Sequence, residues 1–140
     1  LILDTYGAFP NEEIKKIIME FSSNNIHIHS TLIGQDKLKE FSQADCLIMP
    51  SWNEGQPIVL LEAMSVGTPI IASNVGLISE ILGADYPYLT NPKDQLSLEN
   101  VIIEFIESKT VNSQSIKLRE KYYNNFSQKK HAEILLQIFK

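Results

Sequence analysis

Short apolar runs alternate along this chain with segments whose apolar residues recur every three to four positions. Leu1-Ile2-Leu3 predicts a strand. Pro10 and Asn11 then introduce a helix. Asn11 is its N-cap, Glu12 and Glu13 lie in the first turn where the helix dipole favours them, and Ile14, Ile17, Ile18 and Phe21 form its apolar stripe. Ile26-His27-Ile28-His29 alternates in the manner of a strand. Residues 36–44 predict a short helix, and Cys46-Leu47-Ile48-Met49 a fully apolar strand ended by Pro50. Residues 57–66 predict a helix with Pro57 in its first turn and Gly67 just past its end. Ile70-Ile71-Ala72 reads as a strand, 77–82 as a short helix and Tyr88-Leu89 as a last short strand. From Gln95 onward the pattern is helical, over 96–108, 113–124 and 128–139.

Strands separated by helices imply βαβ units and a parallel sheet. The runs 46–49 and 70–72 are apolar at every position, as buried parallel strands are. The expected fold is therefore α/β, a Rossmann-like open parallel sheet with flanking helices and helices at its C-terminal end. Ligands of such sheets bind outside the carboxyl ends of the strands. Here those ends are the loops 5–10, 30–35, 50–56 and 73–76.

Composition narrows the partners. The chain has 140 residues and a net charge of −5, and its 12 basic residues are scattered, 11 as lysine and one as Arg119. No stripe of Lys or Arg tracks a phosphate backbone, so nucleic acid is not the expected partner. The single cysteine, Cys46, excludes an internal disulfide and fits a reducing cytosol. No apolar stretch approaches the roughly 20 residues that span a bilayer, and no signal peptide is read. The chain opens directly in an apolar run without Met, so it is expected to be a domain of a longer protein whose N-terminal portion holds essential chemistry.

The segment 51–82 carries the most chemistry. Glu62 sits inside an almost unbroken apolar stretch, and a carboxylate there is costly to bury unless something hydrogen-bonds it. Glu54 stands eight residues earlier on the loop Pro-Ser-Trp-Asn-Glu-Gly-Gln. If Glu54 lay near the helix start, eight residues would bring both carboxylates to one side, roughly 10 Å apart along the axis. That separation is too long for a shared-proton pair and suits two contacts to one extended ligand. The helix N-terminus offers free N–H groups and partial positive charge, and Gly55 allows close backbone approach to a phosphate. A simple strand–turn–helix joint accounts for the loop equally well. Ser73-Asn74-Val75-Gly76 borders the same crevice. Asn74 and Gly76 suit a turn needing positive φ, with an ordinary turn preferred for Asn74.

Other residues weigh toward structure. His27 and His29 alternate on one strand and are possible metal ligands, but no third ligand is apparent nearby. His131 is expected to be exposed. Cys46 reads as a small core hydrophobe. Asp4 and Asp45, at strand edges, suit helix capping or lining the crevice, with capping preferred. Trp52 suits either stacking on a base or sugar, or anchoring the loop. Tyr122, Tyr123 and Phe126 read as helix packing.

Taken together, Pro50-Ser51, Glu54-Gly55, Val59-Leu60-Leu61-Glu62-Ala63-Met64, Gly67-Thr68-Pro69, Ile71-Ala72-Ser73, Gly76 and Glu80 resemble the signature of group 1 (family four) GT-B glycosyltransferases. Ala44-Asp45 and Phe126-Ser127 fit the same family. The resemblance spans nearly the whole chain as a C-terminal, nucleotide-sugar-binding domain, residues 1–140, with the first βα unit and the N-terminal acceptor domain absent. It implies a retaining glycosyltransferase acting in surface polysaccharide or lipopolysaccharide synthesis. Glu54 would contact donor-sugar hydroxyls and assist the transition state, and Glu62 would bind the ribose hydroxyls. Backbone groups of Gly55, Gln56, Ile58 and Val59 would face phosphate and sugar. The loop bearing Ser30, Leu32 and Ile33 would hold the base. No cofactor and no metal is implied, since basic side chains and the helix N-terminus offset the diphosphate charge. The implied partners are a nucleotide-sugar donor and a saccharide or lipid-linked acceptor. The implied location is cytoplasmic, with peripheral association at the inner face of the membrane.

The chain departs from that pattern in places. The usual Phe-Gly after Glu-Gly is Gln56-Pro57, and Pro57 has no N–H to offer. Only Gly7 remains of the glycine-bearing loop after the first strand, Ser30 stands where a glycine is common, and the diphosphate-binding Arg and Lys have no equivalent here. A nonhydrolysing nucleotide-sugar epimerase of the same fold, which lacks the Glu-to-Glu signature, and a non-catalytic nucleotide-sugar-binding module are the alternatives.

Overall fold

The computed structural model describes residues 1–9 and 11–139; Pro10, expected to introduce the first helix, lies outside them. Among the described residues five strands alternate with helices. These are β1 (Leu3–Tyr6), α1 (Glu12–Glu20), β2 (Ile26–His29), α2 (Gly34–Gln43), β3 (Leu47–Met49), α3 (Ile58–Val66), β4 (Ile70–Ser73), α4 (Ile78–Leu82), β5 (Leu89–Thr90), α5 (Gln95–Glu107), α6 (Val111–Asn125) and α7 (Gln128–Ile138). Among the described residues these strands pair in parallel, in a two-stranded sheet β1-β2 and a three-stranded sheet β3-β4-β5. This is the expected Rossmann-like α/β architecture with flanking helices. The chain divides into two compact units, Leu1–Lys37 and Leu38–Lys140.

In the first unit the strand begins where the apolar run ends. Leu1 and Ile2 are exposed, and β1 consists of Leu-Asp-Thr-Tyr. Pairing, not hydropathy, sets this boundary. The Leu3 N–H donates to the Asn25 carbonyl at 2.9 Å, and the register then runs Asp4 to His27 and Tyr6 to His29. Asp4 is therefore inside the strand, not at its edge. Asn11 caps α1 as expected, accepting from the Ile14 N–H at 2.8 Å.

In the second unit β4 is central and wholly buried. β3 lies at an edge of its sheet and is only half-buried, although its sequence is as apolar as that of β4. Leu60, Ala63 and Met64 from α3, Ile70 and Ile71 from β4, Tyr88, Phe105 and Leu118 build the core. Gly67 ends α3 in the left-handed region, φ +82°. Its N–H donates to the Met64 carbonyl and that of Thr68 to the Ala63 carbonyl, the paired bonds of a Schellman cap. The Thr68 hydroxyl then donates to the Phe41 carbonyl at 2.7 Å, tying the end of α2 to the entry of β4. The buried Tyr86 hydroxyl accepts from the Ile70 N–H at 3.0 Å and donates to its carbonyl at 2.8 Å. Burial pushes that phenol well above its ordinary pKa.

At the C-terminal end Ser127 caps α7, accepting from the Lys130 N–H at 3.2 Å. Tyr122 and Phe126 pack on the core, whereas Tyr123 is exposed. His131 is exposed, as expected. No helix among the described residues is long and apolar enough to cross a membrane.

Candidate functional site

The second unit's candidate site lies where β3 and β4 end. After Met49 the chain turns through 50–57 into α3, and after Ser73 it turns through 74–77 into α4. The two loops touch at their backbones. Gly76 has φ +54°, and a Cβ built there would collide with the Glu54 carbonyl oxygen and lie 2.9 Å from its carbon. Only glycine permits this approach, so Gly76 fixes the backbone that carries Glu54. Asn74 is not in the left-handed region; Lys93 is the one non-glycine residue among those described with positive φ.

Glu54 is half-buried and is held by its own loop, where the Ser51 hydroxyl donates to Oε1 at 2.7 Å. It precedes the helix by four residues. The helical spacing considered for Glu54 and Glu62 therefore does not apply, because 54–57 is not helix. Gly55 and Gln56 are exposed, and Gly55 has open space where a side chain would stand.

Pro57 proves to be the N-cap of α3, with extended backbone, and not a first-turn residue. It offers no capping side chain. The first N–H groups of α3, on Ile58 and Val59, are of the kind no helical carbonyl satisfies. Acidic side chains are absent from this first turn. The result is a bare helix start with partial positive charge. Glu62, one turn on, is half-buried with Oε2 screened from solvent.

Trp52 is 71% exposed and so does not anchor the loop by burial. Lys93 Nζ, on the turn after β5, stands 5.2 Å from its ring centroid and brings a cation to this end of the sheet. Ser51 and Lys93 escaped the sequence reading. Ser51 was visible as part of a motif but without a role, and Lys93 meets Trp52 only through the parallel sheet. Cys46 fits its expected inert role: burial, with a smaller contribution from Asp45, pushes its thiol up to about 11.

Ser30, Leu32 and Ile33 lie in the first unit, on the loop between β2 and α2. Ser30 and Ile33 are exposed and Leu32 is half-buried. In that unit His27 and His29 do acquire a neighbour that sequence distance concealed. Asp4 of β1 reaches both rings, so the expectation of no third ligand nearby is corrected.

Comparison with known proteins gives the family. Residues 6–139 match the family model described as glycosyl transferases group 1. The chain is 30% identical over 134 residues to the alpha-galactosylglucosyldiacylglycerol synthase of Streptococcus pneumoniae, covering 95% of this chain and 34% of that protein. It is 32% identical over 102 residues to the MMP alpha-(1->4)-mannosyltransferase of Mycolicibacterium hassiacum, covering 71% of this chain and 25% of that protein. The chain thus spans a quarter to a third of the length of these curated relatives. A sucrose-phosphate synthase structure from Thermosynechococcus elongatus superposes with a TM-score of 0.84 at 23% identity, over 98% of this chain and 37% of that one. Matched by that family model over nearly its whole length, the chain belongs to the group 1 glycosyltransferases.

Proposed function

We propose that this chain is the donor-binding part of a retaining glycosyltransferase that builds surface polysaccharide, lipopolysaccharide or a related glycolipid. In the transfer, the bond from the anomeric carbon to the donor's diphosphate breaks. A bond to an acceptor hydroxyl oxygen forms on the same face, the nucleoside diphosphate leaves, and the acceptor gives up its proton. The acceptor is a saccharide or a lipid-linked molecule. The names of the two curated relatives, one a mannosyltransferase and one a glycolipid synthase, support that class.

The observation that carries the reading is the Glu54 loop. Ser51 aims its carboxylate and Gly76 pins its backbone, beside a helix start that carries no capping side chain. Glu54 takes donor-sugar hydroxyls and steadies the charge that develops on the sugar. Ile58 and Val59 N–H groups, with Gln56 and Gly55, receive phosphate and sugar oxygens. Glu62 accepts from the ribose hydroxyls. The backbone of Ser30, Leu32 and Ile33 is assigned to the base of the donor. The transfer step in this reading uses no cofactor and no bound metal, and the whole protein works at the cytoplasmic face of a membrane. By itself the chain binds nucleotide-sugar weakly without turnover.

The test is sugar transfer by the complete enzyme. Glu54→Ala abolishes transfer while leaving the melting temperature close to that of the parent. Retained transfer in that variant, or full turnover by the 140-residue chain alone, refutes the reading.

A further inference from the structure

In the first unit, three metal-ligating side chains converge on two neighbouring strands. Successive side chains of a strand alternate faces, so His27 and His29 share one face of β2. The parallel register sets Asp4 of β1 beside His27. His29 Nε2 lies 2.7 Å and His27 Nδ1 3.1 Å from Asp4 Oδ1. All three ligand atoms fall within 4.8 Å of one another.

The bonds around His27 fix its tautomer. His27 Nε2 is 3.2 Å from the Asn24 carbonyl oxygen, which can only accept. Nε2 therefore carries the proton, and in the neutral ring Nδ1 turns a lone pair toward the Asp4 carboxylate. Two acceptors face each other unless a positive charge joins them. That charge is either a second proton on the ring or a cation. A ligating histidine commonly fixes its tautomer by donating its other N–H to a backbone carbonyl, which is what His27 does with Asn24. Tyr6 stacks on His29, centroids 4.6 Å apart and planes within 14°, and so orients the second ring.

We propose that Asp4, His27 and His29 form a binding site for a divalent transition metal of the zinc or cobalt type. Two imidazoles and one carboxylate are borderline donors suited to such ions. Bonds of about 2.1 Å in a tetrahedron set ligand atoms roughly 3.4 Å apart. The separations of 2.7 and 3.1 Å would open toward that value, and the two ring nitrogens, within 4.8 Å of each other, would draw together by side-chain rotation. The three side chains are 41–42% exposed, so water completes the coordination. The metal would staple β1 to β2 and leave one position open to solvent. This proposal does not rest on the transfer reading, and its test is independent of donor binding.

The experiment is titration of the tag-free chain with Co2+ and with Zn2+ at pH 7.5. Expected are one ion per chain, visible Co2+ absorption of a low-coordinate nitrogen–oxygen site, and displacement of Co2+ by Zn2+. His29→Gln and Asp4→Asn each weaken binding by more than about tenfold, with the circular dichroism spectrum unchanged. The chain has only three histidines, so imidazole NMR signals of the unaltered chain give a readout needing no variant. Zn2+ should move two of them and leave His131 in place. Absence of saturable binding, binding that survives both substitutions, or a response confined to His131 overturns the proposal and leaves a hydrogen-bonded cluster.

Discussion

Replacing Gly76 by alanine tests the device that positions Glu54. The added Cβ meets the Glu54 carbonyl oxygen in a residue whose φ is +54°. The left-handed backbone alone costs alanine about 1–2 kcal/mol, partly offset by about 0.4–1 kcal/mol from a less flexible unfolded chain. The collision adds to this, because the obstacle is backbone and cannot swing aside. A net loss of about 1–2 kcal/mol corresponds to a melting temperature lower by roughly 3–8 °C in a domain of this size. If the chain instead relieves the contact by moving the 50–57 loop about 1 Å, a misplacement of that size costs about 100-fold in rate. Differential scanning calorimetry of the chain and kcat of the complete enzyme measure the two effects. Gly55→Ala is the control, since nothing lies within 4 Å of its Cβ position and its φ is not positive. It should leave stability within about 1 °C and weaken only donor binding. A Gly76→Ala enzyme with both melting temperature and kcat unchanged refutes the reasoning.

Three further outcomes follow from particular contacts. Ser51→Ala removes the 2.7 Å bond that aims Glu54; kcat should fall about tenfold, the worth of one charge-assisted hydrogen bond, with little change in melting temperature, and an equal loss of stability would instead mark Ser51 as structural. Tyr86→Phe strips both bonds from the Ile70 backbone and should cost about 1–3 kcal/mol, read by urea denaturation; an unchanged midpoint contradicts it. Cys46 has a folded pKa of about 11 against 9.0 unfolded. Below pH 9 both states keep the proton; between 9 and 11 only the unfolded state loses it, so stability should decline across that window, and Cys46→Ala should flatten that part of the pH profile.

Where the fold was legible, local chemistry dictated it. Asn11, Gly67 and Ser127 cap helices at the positions their side chains or backbone freedom indicate, and the βα alternation alone implied parallel strands. β1 was misplaced because its polar residues, Asp4 and Thr5, are held by pairing with β2 and not by burial; Thr5 Oγ1 donates to the His27 carbonyl at 3.2 Å. β3 looked as buried as β4 because hydropathy does not report which strand lies at an edge. In the candidate site, Glu54 and Glu62 stood out by sequence. The contact of Gly76 with Glu54, the approach of Lys93 to Trp52 and the meeting of Asp4 with two histidines did not. Each joins residues more than twenty positions apart, and a pattern with a period of two or 3.6 carries no record of such pairs.

The central claim is that Glu62, on a helix start carrying no capping side chain, grips the nucleotide of a sugar donor. Calorimetric titration of the complete enzyme with a panel of nucleotide-sugars, repeated with Glu62→Gln, tests it most directly. One donor should saturate the parent enzyme, and Glu62→Gln should weaken it about 10–100-fold, the worth of hydrogen bonds to a charged group, with no loss of melting temperature. Unchanged donor affinity together with a lower melting temperature would contradict it and make Glu62 a structural residue.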